Sequence, residues 1–176
     1  MRHRLTAALA LTLVPTAALA HPGLADAHGF AQGFAHPLGG LDHLLAMVAV
    51  GIFAWQLGGR ALWLVPGAFL LAMAAGGALA MEGVALPLVE FGIAASVVVL
   101  GAIVALGVRA PLAVAMALVG LFAVFHGSAH ATEMPLGVAG VAYGAGFLLA
   151  TALLHAAGIA LGVAIGRIGE AYGRVA

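Results

Sequence analysis

Apolar stretches long enough to cross a membrane, separated by short polar breaks, follow one another along most of the chain. A helix needs about 20 apolar residues to cross the hydrocarbon core of a bilayer. The stretches lie at about residues 37–57, 61–81, 86–108, 111–130 and 136–165. The pattern therefore predicts an all-α membrane protein, a polytopic bundle of about five transmembrane helices.

The first residues form a different pattern. Arg2 and Arg4 precede a short apolar run, and a small-x-small sequence ends at Ala20. This order is typical of a cleaved secretory signal peptide. An uncleaved anchor helix is the alternative, although the run contains Pro15 and a polar segment follows it. The predicted organisation is a signal peptide at 1–20, a short periplasmic N-terminal segment at 21–36 and a single transmembrane helical domain at 37–176.

Arginines orient the predicted helices in the membrane. An odd number of spans puts the two ends of the mature chain on opposite sides, and signal cleavage leaves the new N-terminus outside. The mature chain's arginines then all lie on the inner side, as the positive-inside rule requires. They are Arg60, Arg109, Arg167 and Arg174. The sequence thus predicts a bacterial inner-membrane protein with a periplasmic N-terminus and a cytoplasmic C-terminus.

Composition narrows the function further. Of the 176 residues, 65% are hydrophobic and 7% are charged, which is too few charges for a water-soluble surface. The net charge is zero and no basic cluster is present, so nucleic-acid binding is not expected. The absence of cysteine excludes disulfides, thiolate metal sites and thiol catalysis. Gly158, Gly162 and Gly166 recur at four-residue spacing in the last span, which predicts close packing against another helix.

Histidines and acidic residues concentrate in the predicted outer half of the bundle. In the mature chain, only His155, interpreted as a packing or relay residue, and Glu170 lie elsewhere. A charged side chain deep in a span costs roughly 2.5–3.5 kcal/mol on insertion scales, and such residues usually mark an ion or substrate pathway. The alternative is that these groups only hydrogen-bond one another between helices. The site candidates are His36, Asp42, His43, Glu90, His126, His130 and Glu133.

Two short stretches hold most of these candidates. In "FHGSAHATE", His126, His130 and Glu133 are spaced by four and three residues, so a helix places them on one face. Two imidazoles and a carboxylate on one face make half a site for a divalent metal. In "HPLGGLDHLLAMVAVG", Pro37 suits the first turn of a helix, with His36 as its cap.

Neighbouring residues are secondary candidates. Met47 follows His43 by one helical turn and offers a soft ligand on the same face. Asp42 lies about 100° round the helix from His43. There it either binds the ion or hydrogen-bonds an imidazole from a neighbouring helix and fixes the tautomer of that ring. His21 and His28, together with the free amine, favour weak metal capture rather than a fixed site.

The ligand types restrict the ion. Imidazole with carboxylate, without thiolate, suits Ni(II), Co(II), Zn(II), Cu(II) or Fe(II) rather than Cu(I). The six or more hard oxygen ligands that calcium or magnesium would need are not available. The residues alone do not choose among the remaining ions.

The two quoted stretches resemble the signature motifs of the HupE/UreJ family, small bacterial membrane proteins regarded as nickel permeases for hydrogenase or urease. The resemblance extends over essentially the whole chain, in length, number of spans and spacing of the motifs. It implies that the family's polar positions fall on His36, Asp42, His43, His126, His130 and Glu133. Glu90 resembles the family's third-span acid and Phe69 a family aromatic, while Ala131 stands where a glycine is expected.

These observations favour an inner-membrane permease, not an enzyme, that moves a divalent transition metal from periplasm to cytoplasm. Nickel is the expected ion, with Co(II) or Zn(II) as alternatives and no permanent cofactor. The expected partners are the ion and the lipid bilayer, and the sequence leaves open whether copies of the chain associate. The rival interpretation is an intramembrane zinc-dependent hydrolase of a lipid amide or ester, which His126 and His130 with Ser128 between them could support.

Overall fold

Six helices make up the structure, a computed structural model that describes residues 22–134 and 139–173. They are α1 (Pro22–Gly39), α2 (Leu41–Leu57), α3 (Ala61–Met81), α4 (Val89–Ala105), α5 (Leu112–Thr132) and α6 (Gly140–Gly173). No strand occurs in these two ranges, so the predicted all-α class is confirmed. The predicted signal peptide, His21 and Arg174 lie outside the described residues.

Three helices are long and apolar enough to cross a membrane, namely α3, α5 and the Gly140–Arg167 part of α6. A fourth span results if the Ala27–Gly39 part of α1 and α2, which meet at a bend of 84°, are counted as one broken span. The remaining helix, α4, is apolar and has 17 residues, near the lower limit of about 17 for a span. By length and composition, three or four of the described helices are able to span a membrane, and the third apolar stretch of the sequence forms the shorter α4.

The first predicted span begins later than expected. Helix α1 continues through His36 and contains Pro37, and α2 starts only at Leu41. The prediction that Pro37 opens the span with His36 as its cap is therefore wrong. The break falls at Gly40, whose backbone is extended with φ −106° and ψ 121°. It follows Gly39, and consecutive glycines disfavour continuation of a helix.

Helix α1 packs along α6. Gly29, Gly33 and Pro37 are buried and spaced by four, so they share one face. A side chain at Gly33 would collide with the backbone of Tyr143 on α6. This packing holds α1 in place and carries His36 over one end of the bundle.

The glycines of the last span pack as the sequence predicts. Gly158 lies against the α2 backbone at Val48, and Gly162 and Gly166 face the ring of Trp55 on the same helix. A Cβ atom at any of the three would collide with α2. The prediction of close packing is confirmed, and the neighbour is α2.

One end of the bundle collects the polar candidates. The beginnings of α2 and α4, the end of α5, the end of α1 and the first turn of α6 all contribute residues to one cavity there. We call this end of the bundle the site end.

Candidate metal centre

Three buried histidines converge inside the site end. His43 lies in the first turn of α2, and His126 and His130 lie one turn apart near the end of α5. Nε2 of His43 is 2.7 Å from Nδ1 of His126 and also contacts Nε2 of His130. One nitrogen of each ring lies within 4.8 Å of the others, so a single ion can reach all of them. We call His43, His126 and His130 the histidine trio.

The hydrogen bonds of Ser96 determine which nitrogen of His126 faces the trio. Ser96, on α4, is fully buried, and its hydroxyl donates to the carbonyl oxygen of Ile93 at 2.6 Å. A hydroxyl has one hydrogen to donate. Ser96 Oγ therefore accepts from the Nε2–H of His126, at 2.8 Å. Because a neutral imidazole carries one hydrogen, the lone pair of His126 Nδ1 points into the trio.

Carboxylates lie beside the outward nitrogens of the other two rings. Oδ1 of Asp42 is 3.7 Å from Nδ1 of His43 and accepts the backbone N–H of His43 at 2.8 Å. Oε2 of Glu133 is 3.6 Å from Nδ1 of His130. These ring distances are too long for direct hydrogen bonds. A negative charge there still favours hydrogen on the outward nitrogen and a lone pair on the inward one.

A second group of metal-ligating side chains lies nearer the surface. Nε2 of His36 is 3.1 Å from Oε2 of Glu133, and His130 lies within reach of both. The rings of His36 and His130 meet edge to face, with centres 4.8 Å apart. We call His36, His130 and Glu133 the outer group. It shares His130 with the trio, so the two groups adjoin.

A cavity of about 620 Å³ opens at the site end. The carboxylates of Asp42, Glu90 and Glu133 line it, and no arginine is among the described residues that do. A cleft with acidic walls concentrates cations by electrostatic attraction. His126 is fully buried and does not reach the cavity wall, so it lies behind His43 and His130 as seen from the opening.

The structure brings all seven main candidates from the sequence to this end. Six of them line the cavity, and His126 completes the trio. Glu90 is exposed, in the first turn of α4, and belongs to neither metal-ligating group. The six lining residues are His36, Asp42, His43, Glu90, His130 and Glu133.

The secondary candidates take less central places. Met47 is fully buried in the core, one turn along α2 from His43. The ring of Phe69 lies against His126, with centres 5.9 Å apart. His28 is exposed on α1 and belongs to neither group, and His21 lies outside the described residues.

Sequence reasoning missed three residues that shape the site. Ser96 bonds to His126, the ring centre of Phe147 is 4.1 Å from that of His130, and Tyr143 lines the cavity. For Ser96 a signal was available, since a hydroxyl within an apolar span needs a partner inside the bundle. For the two aromatics no signal existed, because aromatic residues in spans are usually packing or interface residues.

Comparison with known proteins agrees with the motifs. The chain matches the HupE / UreJ protein family over residues 9–176. Protein HupE of Rhizobium leguminosarum bv. viciae is 48% identical over 174 residues, which cover 98% of this chain and 91% of that protein. No solved structure matches the chain. The chain belongs to the HupE/UreJ family.

Proposed function

We propose that this chain is an inner-membrane permease that moves a divalent transition metal, nickel in the first place, from periplasm to cytoplasm. The observation that carries the proposal is the histidine trio, three imidazoles whose nitrogens meet behind an acid-lined cavity. Membership of a transporter family supports transport rather than catalysis. The delivered metal would serve hydrogenase or urease.

The spacing of the trio suits one bound ion. Two nitrogens about 2.0–2.1 Å from a metal lie about 2.9 Å apart when the angle at the metal is 90°. The 2.7 Å between His43 Nε2 and His126 Nδ1 is close to this separation. Two lone pairs at that distance repel each other, and Ser96 keeps the hydrogen of His126 on its other nitrogen. A cation bound between the rings removes this repulsion, because both lone pairs then bind the cation.

The choice of nickel rests on ligand type together with supply. Neutral imidazoles and carboxylates suit Ni(II), Co(II) and Zn(II). Intrinsic affinity would favour Cu(II), so a protein selects nickel through coordination geometry and through the metals present in its compartment.

The arrangement of charges supports an order of binding. The carboxylates of the cavity attract the hydrated ion, the outer group binds it next, and the trio then replaces more of its water with nitrogen ligands. The described residues contain no further group of three ligands at the opposite end. Together with the predicted periplasmic position of the site end, this asymmetry favours uptake over export.

Uptake into liposomes tests the proposal. Purified protein is reconstituted with a nickel-quenched dye inside the vesicles, and dye quenching is followed after external Ni(II) is added. We expect uptake by the wild-type protein and a rate at least about tenfold lower for His126→Phe, which removes a trio nitrogen from a fully buried position. His28→Ala is the matched control, because His28 is exposed and outside both groups. Wild-type protein that moves no metal would refute the proposal.

A zinc-dependent hydrolase is the second candidate, and one observation favours it. Three histidines beside an open cavity are also the ligand set of many catalytic zinc sites. The same vesicles, made with lipid amides and esters and loaded with Zn(II), distinguish the two functions by mass spectrometry of the lipids. Lipid turnover without metal uptake would establish the hydrolase.

A further inference from the structure

His155 is a buried polar residue that the proposed site leaves unused. It lies on α6 with 1% of its surface exposed, and neither ring nitrogen has a hydrogen-bond partner among the described residues. Thr151, one turn earlier, is also buried, and its hydroxyl has no partner within the same part of the chain. Polar atoms buried in this way are rare, because they lose water without gaining a replacement. Two of them side by side indicate that something polar or charged occupies this place for part of the time.

Phe69 connects His155 with the histidine trio. Its ring meets the ring of His155 edge to face, with centres 5.1 Å apart, and lies tilted by 53° against the ring of His126, with centres 5.9 Å apart. Phe69 is itself fully buried. The ring of Phe69 therefore contacts both His126 of the trio and His155.

The position of His155 is deeper in the bundle than the trio. A side chain at Gly51 of α2 would collide with the carbonyl oxygen of His155, so the two residues lie at one level. Gly51 follows His43 by eight residues, and at about 1.5 Å per residue the two levels are about 12 Å apart along α2. His155 thus lies one step further along the bundle, away from the cavity.

We propose that His155, with the hydroxyl of Thr151, is a second binding position for the same divalent cation, reached from the trio past Phe69. This inference rests on the proposed permease function. One imidazole and one hydroxyl bind a metal more weakly than three imidazoles do, and weak binding suits a position that the ion must leave again.

The absence of cysteine from the chain allows a direct test. In His155→Cys a thiolate replaces the imidazole, and a thiolate bound to Co(II) gives a ligand-to-metal charge-transfer band in the near ultraviolet. Co(II) is titrated into the full-length variant in detergent. We expect the band to grow after the first equivalent has filled the trio. Leu153→Cys, two residues away with 52% of its surface exposed on the outside of the bundle, should give none. If His155→Cys shows no band with the trio loaded, the inference is overturned.

A second variant tests the native function of the position. His155→Phe keeps a ring of similar shape and removes both nitrogens. We expect its first Ni(II) to bind within about twofold of wild type and its uptake in liposomes to be at least tenfold slower. Wild-type uptake by His155→Phe would overturn the inference. The inference would also be overturned if both His155 variants failed to bind the first metal ion, because His155 would then be needed for the folded structure of the trio. Failure of wild-type uptake rejects the permease instead, and the Co(II) titration still decides whether an ion reaches His155.

Discussion

At the scale of single residues, the hydroxyl of Ser96 has the most specific consequence, because it sets the hydrogen position on His126. Ser96→Ala leaves the Nε2–H of His126 without an acceptor and releases the ring. We expect Ni(II) binding to weaken by roughly 10–100-fold, as for other outer partners of metal-binding histidines. Isothermal titration in detergent measures this, and Ser96→Thr, which keeps the hydroxyl, should lose much less affinity.

A matched control for Ser96 is available on α5. Ser128 is buried to a similar degree, with 3% of its surface exposed, and makes no hydrogen bond to the trio. Ser128→Ala should therefore bind Ni(II) like wild type. Equal affinity of Ser96→Ala and Ser128→Ala would show that the tautomer of His126 does not matter for binding.

Glu133 is the carboxylate of the outer group and lies beside His130, the residue that the outer group shares with the trio. Its Oε2 lies 3.1 Å from His36 and 3.6 Å from His130. Glu133→Gln keeps the shape and removes the charge, and we expect uptake at low Ni(II) concentration to fall by about tenfold. Uptake rates over a range of Ni(II) concentrations check this. Glu82→Gln is the control, because Glu82 is an exposed acid that does not line the cavity. Equal rates for the two variants would contradict the assigned role.

Helical spacing was sufficient to place His126, His130 and Glu133 at one end of a single helix, but His126 and Glu133 fall in different groups, and only His130 belongs to both. His36, His43 and Ser96 approach them from α1, α2 and α4. Contacts between helices depend on packing that no spacing rule specifies, so the sequence identified the residues that meet at the site end without showing how they pair. Ser96 could not be assigned to His126 for the same reason.

At the scale of helices, α1 is the element that the sequence pattern did not predict. The sequence of this region predicted a polar segment, because two histidines, an aspartate and several glycines prevent a continuous apolar face along a helix. Tertiary packing forms the helix instead, since the glycines that weaken it in isolation let it lie against α6. The apolar stretches were predicted more reliably, because length and hydropathy indicate a membrane helix, although α2 begins later and α4 is shorter than predicted.

The contact between α3 and α5 gives a test at this scale. A Cβ atom on Gly127 of α5 would collide with the backbone of Met73 on α3, next to the buried His126. We expect Gly127→Ala to destabilise the protein by about 1–3 kcal/mol through overpacking and to weaken Ni(II) binding. Denaturant unfolding in detergent measures the stability.

Gly120→Ala, on the same helix, is the control for this contact. An added Cβ there would lie 3.7 Å from the Cβ of Ala72, which is an ordinary packing distance. Stability should stay within about 0.5 kcal/mol of wild type. If both alanine variants lost the same amount of stability, any added methyl group on α5 would be destabilising, and the close approach at Gly127 would have no special role.

At the scale of the whole molecule, the orientation in the membrane decides the direction of transport. Val84 follows α3 and Val108 follows α4, with 46% and 40% of their surfaces exposed. In the cysteine-free chain, Val84→Cys should react with an impermeant maleimide added from the periplasm. Val108→Cys should react only after the inner membrane is opened. The reverse labelling would place the acid-lined cavity on the cytoplasmic side and contradict uptake.

His130 belongs to the outer group through one ring nitrogen and to the trio through the other. A neutral imidazole has a single lone pair, so it completes only one of the two groups at a time. For the proposed permease, we infer that an ion passes from the outer group to the trio only when the hydrogen of His130 changes from one nitrogen to the other, so that the outer group is incomplete while the trio is filled. We therefore expect the outer group to bind the next ion only after the previous one has left the trio, so the uptake rate should reach a plateau as external Ni(II) rises.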